Sequence, residues 1–441
     1  MTCKTRIART MTLACTAALA GCVNPPEIPP VAGLISAPPG ASATVPVLFD
    51  DNRMFVDLAF VRPDGSVRKA RAFVNMGAIG LVLDYPLYRE LGADKDNTVT
   101  MRLGDMPVRI DARAIQTVQQ SSNFTIQLNP FHRRAEHAPA PPPPPGEEDP
   151  MAALSGPLHV EAELPSGVLQ TFVVVADYGA RTLTFATPGT IAPQGIAVPF
   201  RLNPKTGFMT VDLVIDGQKH AMVIDDGGSY SGFRREAAGD LISAHPDWVI
   251  SDTAIGEANL TMDGSGLDAN SPVLRLPRAD IGALHLEKIG VAGLGMGSFF
   301  GRVIGGWFWD YYSTKAGERV DGWIAGNVLK GYRITLDYAH RMSYWLKQSD
   351  LDPHDLDQVG VTLEHAQGGY AIAAIATKNG QPSVPGVQVG DIVVRIDGLV
   401  TATATHGQIL TALHGKPGDT HALEIERDGK SRSIQASVTA F

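Results

Sequence analysis

The residues best placed to do chemistry stand in Ala221-Met-Val-Ile-Asp-Asp-Gly-Gly-Ser-Tyr-Ser-Gly-Phe233, where an apolar strand runs into a carboxylate and then into glycines. A carboxylate held at the end of a buried strand can act as a base on water, and glycines just after it let backbone amides approach closely. Asn75-Met76-Gly77 ends a similar strand 150 residues earlier, so an amide stands where Asp225 stands. Amide hydrolysis by two facing carboxyls needs one shared proton: one carboxylate activates water while the other acid donates to the carbonyl oxygen. Asn75 copies only the binding half of that acid, because it donates a hydrogen bond but supplies no proton when the intermediate collapses. Loss of general-acid help costs about 10²- to 10⁴-fold. With no like charge opposite, Asp225 also loses the coupling that sets the two titrations of a dyad.

The elements that must position these residues occur twice. Val211-Asp-Leu-Val-Ile215 followed by Asp216-Gly217 is a hairpin signal, so Asp225 ends the second arm of a β-hairpin. Val56-Asp57-Leu58, then Asp64-Gly65, then Ala72-Phe-Val-Asn-Met-Gly77 repeats that order. Downstream, Asp177-Tyr178-Gly-Ala-Arg181 matches Asp337-Tyr338-Ala-His-Arg341. The three landmarks keep one order with offsets of 155, 150 and 160 residues, which points to an internal duplication. Two such lobes facing one another would bring Asn75 and Asp225 to a shared floor.

The second lobe resembles the retropepsin-like aspartic peptidases. Asp225-Asp226-Gly227-Gly228-Ser229 is similar to their Asp-Thr-Gly-Ala-Ser, and Asp321-Gly-Trp-Ile-Ala-Gly-Asn-Val-Leu329 to their later apolar-Gly strand. The similarity spans residues 195–348 and, more weakly, 47–190. It implies a mainly β fold of two pseudo-symmetric lobes and endopeptidase chemistry at Asp225, with Asn75 as a degenerate partner and Gly77, Gly227, Asp226 and Ser229 around them. The family also places a threonine after each catalytic position, whose hydroxyl knits the two loops together. Met76 and Asp226 stand there instead, so that scaffold must be rebuilt or absent.

Residues 356–441 read as a separate small α+β module. Gly386-Val-Gln-Val-Gly-Asp-Ile-Val-Val-Arg-Ile-Asp-Gly398 resembles the hallmark segment of bacterial PDZ domains, and Leu423-Glu-Ile-Glu-Arg-Asp-Gly429 resembles their last hairpin. The resemblance implies an extended peptide added to a sheet edge. It also implies that Val359-Gly360-Val361 receives the peptide's C-terminal carboxylate, with a helix from Gln408 to Leu413 beside the groove.

At 441 residues the chain has room for about three domains, and 44% apolar with 19% charged residues is a globular composition. Lys4, Arg6 and Arg9 precede a short apolar run at residues 10–20, which reads as an export signal over residues 1–21. Net charge is −9 for the whole chain and −12 without that segment, and no basic run offers a footprint to nucleic acid. The signal closes in Leu19-Ala-Gly-Cys22, which looks like a bacterial lipoprotein box with Cys22 as the lipidated residue. The expected location is the bacterial cell envelope, lipid-anchored, on the periplasmic side of the outer membrane. All three cysteines, at 3, 15 and 22, lie in this segment, so the folded part has neither disulfide nor thiol nucleophile. Residues 22–46, rich in Pro, Ala and Gly, read as a tether able to span about 70 Å at ~3.1 Å per residue. The proline run at 138–150 reads as an exposed insertion in the first lobe, and residues 257–266 as a hairpin flap.

Other chemistries have less behind them. Ser229 and Ser231 lie near glycines without forming Gly-x-Ser-x-Gly, and Gly293-Leu-Gly-Met-Gly297 lacks the Lys-Ser/Thr of a nucleotide loop. Twelve histidines give no His-Glu-x-x-His, and His132 and His137, five apart, miss a common helix face. No metal and no cofactor are expected. Two readings of different class result: a lipoprotein that binds peptide or unfolded protein in a two-lobe cleft and a PDZ groove, with at most weak or unusual endopeptidase activity, and an active envelope aspartic endopeptidase using Asp225. Retention of Asp225 with its glycines favours the second, and Asn75, Met76 and Asp226 favour the first.

Overall fold

The computed structural model describes residues 31–93, 98–117, 156–251, 272–294, 299–355, 357–366, 368–378 and 380–440. The leader with Cys22, the proline-rich insertion 138–150, the flap 257–266 and residues 295–298 of the glycine cluster lie outside them. The architecture is a mainly β body of two lobes followed by a small α+β domain.

Each lobe is built on one repeated four-strand unit. In the second lobe Met209–Ile215 and Gln218–Ile224 form a hairpin whose turn residues, Asp216 and Gly217, both have positive φ, 48° and 78°. A two-residue turn of that hand matches the twist of the strands it joins, and Asp-Gly tolerates it. Gly322–Ile324 runs parallel to the second arm with Trp323 opposite Val223. Ser231–Arg234 then pairs antiparallel on the other side of the inserted strand, Gly232 opposite Trp323. In the first lobe Arg53–Val61 and Val67–Asn75 make the hairpin, Val160–Pro165 is inserted with Glu163 opposite Phe73, and Leu81–Leu83 returns with Val82 opposite Glu163. The hairpin arm and return strand correspond at an offset of 150 and the inserted strand at 160, so the duplication holds at the level of register. The inserted strand seals the end of each hairpin arm, leaving Val74 and Ile224 buried.

The lobes share a six-stranded sheet, ordered Ile196–Pro199, Met342–Lys347, Tyr332–Asp337, Val173–Asp177, Thr182–Ala186, Ser42–Pro46. At its centre Val175 pairs with Thr335, the residue that the 160 offset makes its equivalent, so a pseudo-two-fold axis passes through this pair. The Asp-Tyr-x-x-Arg turns match as well: Asp177 accepts from Ala180 N at 2.9 Å, Asp337 from His340 N at 3.1 Å, and Arg181 and Arg341 both have positive φ.

One expectation is corrected here. Residues 31–46 are not a free tether: Ser42–Pro46 is the edge strand of the shared sheet, Ile35 pairs with Ile110, and Val31, Ile35 and Val45 are buried. An edge strand needs pairing on one side only and tolerates a terminal proline such as Pro46, so its composition looks like a linker. Val173–Asp177 pairs with strands of both lobes and joins them.

One apolar core runs through both lobes, while Val359 to Val438 carry a separate core of their own. The C-terminal sheet is ordered Val361–Ala366, Gly369–Ile375, Ile392–Ile396, Thr420–Arg427, Lys430–Ser437. Its helix, His406–Leu413, starts at a capping box of Thr405 and Gln408. The domain is docked on the lobes: His406 Nδ1 lies 3.2 Å from buried Asp51, and Gly407 N donates to Asp50 at 3.0 Å.

Candidate active site

Asn75 is the last residue of its hairpin arm, and Asp225 follows immediately after its own. Both then turn the same way: Gly77 N donates to Asn75 Oδ1 and Gly227 N to Asp225 Oδ1, each at 2.9 Å. The glycines are required by the opposite lobe. A Cβ on Gly77 would run into Asp225 Oδ2, and a Cβ on Gly227 would lie 2.5 Å from Asn75 Oδ1. The two turns therefore interlock across the pseudo-dyad, with Asn75 1% and Asp225 3% exposed.

The contact made by the resembled family's threonines is built differently. Asp226 Oδ1 accepts from Met76 N across the interface at 2.9 Å, so one lobe holds the other's turn through a carboxyl. Asp226 is fully buried, and burial, with the charge of Asp225 added, pushes its carboxyl far above the usual range. Met76 sends no polar side chain back, which makes the grip one-sided. Ser229 lies under Asp51, to whose carboxylate it hydrogen-bonds. Arg53 is the other buttress: its Nε donates to Gly227 O at 3.1 Å and its Nη1 meets Asp51 at 2.6 Å, both side chains buried. Burial pushes the Asp51 carboxyl up, but Arg53 and His406 of the C-terminal helix, 3.2 Å away, hold it below its ordinary value. The same helix is capped by the first lobe, where Asp50 receives Gly407 N at 3.0 Å and the Thr405 hydroxyl.

Two residues of the centre escaped the sequence reading. Tyr312, on helix Phe299–Ala316, donates its hydroxyl to Asp225 Oδ2 at 2.7 Å. Its ring packs among Phe308 and Trp323, with centroids 4.8 and 5.6 Å away. No local pattern marks it, because the helix reaches the centre only through the fold. Glu163 is the second: 3% exposed, on the inserted strand of the first lobe, beside the Asn75 amide without a well-aligned hydrogen bond. Its signal was present as a charge within Glu161-Ala-Glu-Leu-Pro-Ser-Gly-Val-Leu169, the counterpart of Asp321-Gly-Trp-Ile-Ala-Gly-Asn-Val-Leu329 at the 160 offset.

Both carboxyls lie above their ordinary range. Burial pushes Asp225 up, opposed by Tyr312, the amides of Gly227 and Gly77, and the charge of Arg53. Burial pushes Glu163 up to about 7, with the Asn75 amide opposing and the charge of Asp225 adding. Among the described residues no group of three or more His, Cys, Asp or Glu is arranged to hold a metal ion.

In the C-terminal domain Val361–Ala366 is the end strand of its sheet, where a peptide can add. Val359-Gly360-Val361 opens that strand, but Val359 N donates to Leu413 O at 3.0 Å and Val361 N to Val359 O at 2.8 Å. Two of the three backbone amides of that segment are thus engaged internally.

A family model for the PDZ domain matches residues 358–438. That segment is a PDZ domain. It carries the edge strand, the capped helix and the separate core just described. No curated protein matches the chain. Among solved structures, the chain is similar to an aspartic proteinase from Irpex lacteus, with 11% identity and a TM-score of 0.37 over 70% of this chain and 98% of that one. The PDZ domain lies against the buttress of the Asn75–Asp225 centre through His406, Asp51 and Arg53.

A cavity of about 860 Å³ lies between the lobes and the PDZ helix, lined in part by Phe49, Asn52, Lys330, Gln408 and Thr411. Neither Asn75 nor Asp225 contributes to it, so it is separate from the carboxyl centre.

Proposed function

We propose that this chain is an envelope lipoprotein, anchored through Cys22, that holds extended peptide segments on its PDZ domain and keeps a peptidase-like centre shut. The observation that carries the shut state is the Tyr312 hydroxyl on Asp225 Oδ2, in a centre only 1–3% exposed. An attacking water has no room beside Asp225 until helix Phe299–Ala316 shifts. For the PDZ domain, the support is its family match and its end strand, where backbone pairing holds a peptide with little regard to side-chain identity. Titration of the full chain with peptides as free C-terminal acids, as amides and as internal segments tests the binding role. Saturable binding is expected, and failure of all three sets to bind overturns it.

A second reading, slow hydrolysis of peptide bonds, is favoured by one observation: a buried carboxyl, Glu163, stands beside Asn75. Turnover of unfolded casein that disappears in Asp225→Asn supports it.

A further inference from the structure

We propose that the second acid of this centre is Glu163, which supplies the proton that Asn75 lacks. The inference deepens the hydrolytic reading and rests on it.

Placement comes first. Glu163 faces Phe73 in register as Trp323 faces Val223, so the two occupy the same station in their lobes. Trp323 lies beneath helix Phe299–Ala316, its ring 4.9 Å from Trp309 and 5.6 Å from Tyr312, the residue that reaches Asp225. The station is therefore on the side from which the centre is covered. Glu163 lies there within electrostatic reach of both Asp225 and Tyr311 of that helix.

Unmet hydrogen bonding comes second. Glu163 Oε2 and Asn75 Nδ2 are both buried and poorly paired, the Asn75 amide lying against the Glu163 carboxyl without a well-aligned bond. Leaving such groups unsatisfied costs about 1–3 kcal/mol each, so the site is poised for a ligand carrying an acceptor. A peptide carbonyl oxygen is that acceptor: it can take one hydrogen bond from Asn75 Nδ2 and one from a protonated Glu163. Third, burial raises both carboxyls, Glu163 to about 7, and on Asp225 it is opposed by three donors and a nearby guanidinium that favour the anion. The donors gathered on Asp225 assign it the base and leave Glu163 as the acid.

The step balances. With Tyr312 displaced, water sits on Asp225. Its oxygen bonds to the carbonyl carbon while Asp225 takes one of its protons and Glu163 gives its own to the carbonyl oxygen, forming a gem-diol. The C–N bond then breaks as Asp225 hands its proton to the amine nitrogen and Glu163 recovers one from a gem-diol hydroxyl. The products are a carboxylic acid and an amine, and both residues return to their starting states. Asn75 positions the carbonyl throughout.

The test uses the full chain, with folding checked by circular dichroism, and two readouts. One is calorimetric binding of a peptide carrying a secondary alcohol in place of the scissile amide; the other is kcat/KM on unfolded casein, both from about pH 4 to 9. Wild-type affinity for the alcohol should fall about tenfold for each pH unit above about 7, and Glu163→Gln should bind with a flat profile in that range. Hydrolysis should fall about 10²- to 10⁴-fold in Glu163→Gln and recover in part in Glu163→Asp. A wild type that binds and hydrolyses, with Glu163→Gln unchanged in rate and pH profile, overturns the assignment of Glu163 and leaves the hydrolytic reading standing. Absence of turnover in the wild type, with or without alcohol binding, overturns that reading and the proposal together.

Discussion

Replacing Glu163 by Gln should change the pH dependence of stability in a direction that follows from its burial. The folded state holds the proton up to about 7, against 4.5 for the exposed side chain, a difference of about 2.5 units. Between those values the folded chain keeps a proton that the unfolded chain releases. The contribution of this group to stability is therefore largest below about pH 4.5 and falls as pH rises through about 7. At ~1.36 kcal/mol per unit, wild type should lose about 3 kcal/mol between pH 4 and pH 8 through this one carboxyl, and water entry around the ionised group would lower that figure. Gln has the same shape and no proton to lose. The measurement is urea unfolding of the full-length protein at pH 4 and pH 8, followed by tryptophan fluorescence. Trp309, Trp323 and Trp345 are buried in the second lobe, and the PDZ domain contains no tryptophan, so the signal reports the lobes. Glu163→Gln should gain on wild type by about 3 kcal/mol on moving from pH 4 to pH 8. A stability difference that is the same at both pH values would show that Glu163 titrates normally, and would remove the reason for treating it as a neutral acid.

Three further outcomes are expected. Arg53→Met strands Asp51 in the interior and should cost about 3–5 kcal/mol; Asp51→Asn in the same chain should recover a large part, and additive losses in a double-mutant cycle would refute the pairing. Tyr312→Phe removes a hydrogen bond that favours the Asp225 anion, so carbon-13 NMR of the aspartate carboxyls should show Asp225 titrating higher than in wild type; an unchanged or lower midpoint would refute the contact. Gly227→Ala places a methyl against Asn75 Oδ1 and should pry the two turns apart, with a lower Tm and faster amide exchange at Met76, where an unaltered Tm would contradict the interlocked geometry.

Much of this molecule is written in short stretches. Asp216-Gly217 specifies a tight hairpin because few other pairs accept two positive φ angles in succession. The polar-then-glycine endings at Asn75 and Asp225 encode turns whose amides fold back on their own side chains. The repeated Asp-Tyr-x-x-Arg exposed the duplication, and the PDZ segment declared itself by its glycines and aspartates. Such features are local: turn chemistry and strand alternation act between residues a few positions apart, so a reader of the chain meets them together. Ser42–Pro46 looked like a linker because an edge strand is defined by the partner it finds, here Thr182–Ala186 some 140 residues away. Glu163 became part of the centre only when its strand was inserted beside Val67–Asn75, and its proton affinity follows from the water excluded by that packing. Tyr312 reached Asp225 because a helix far along the chain covers the centre. The amino-acid sequence determined the turns, the two lobes and the carboxylate at Asp225. Tertiary structure alone decided which side chains surround that carboxylate and which of them keep their protons, because desolvation is set by everything that packs against a group and not by its neighbours along the chain.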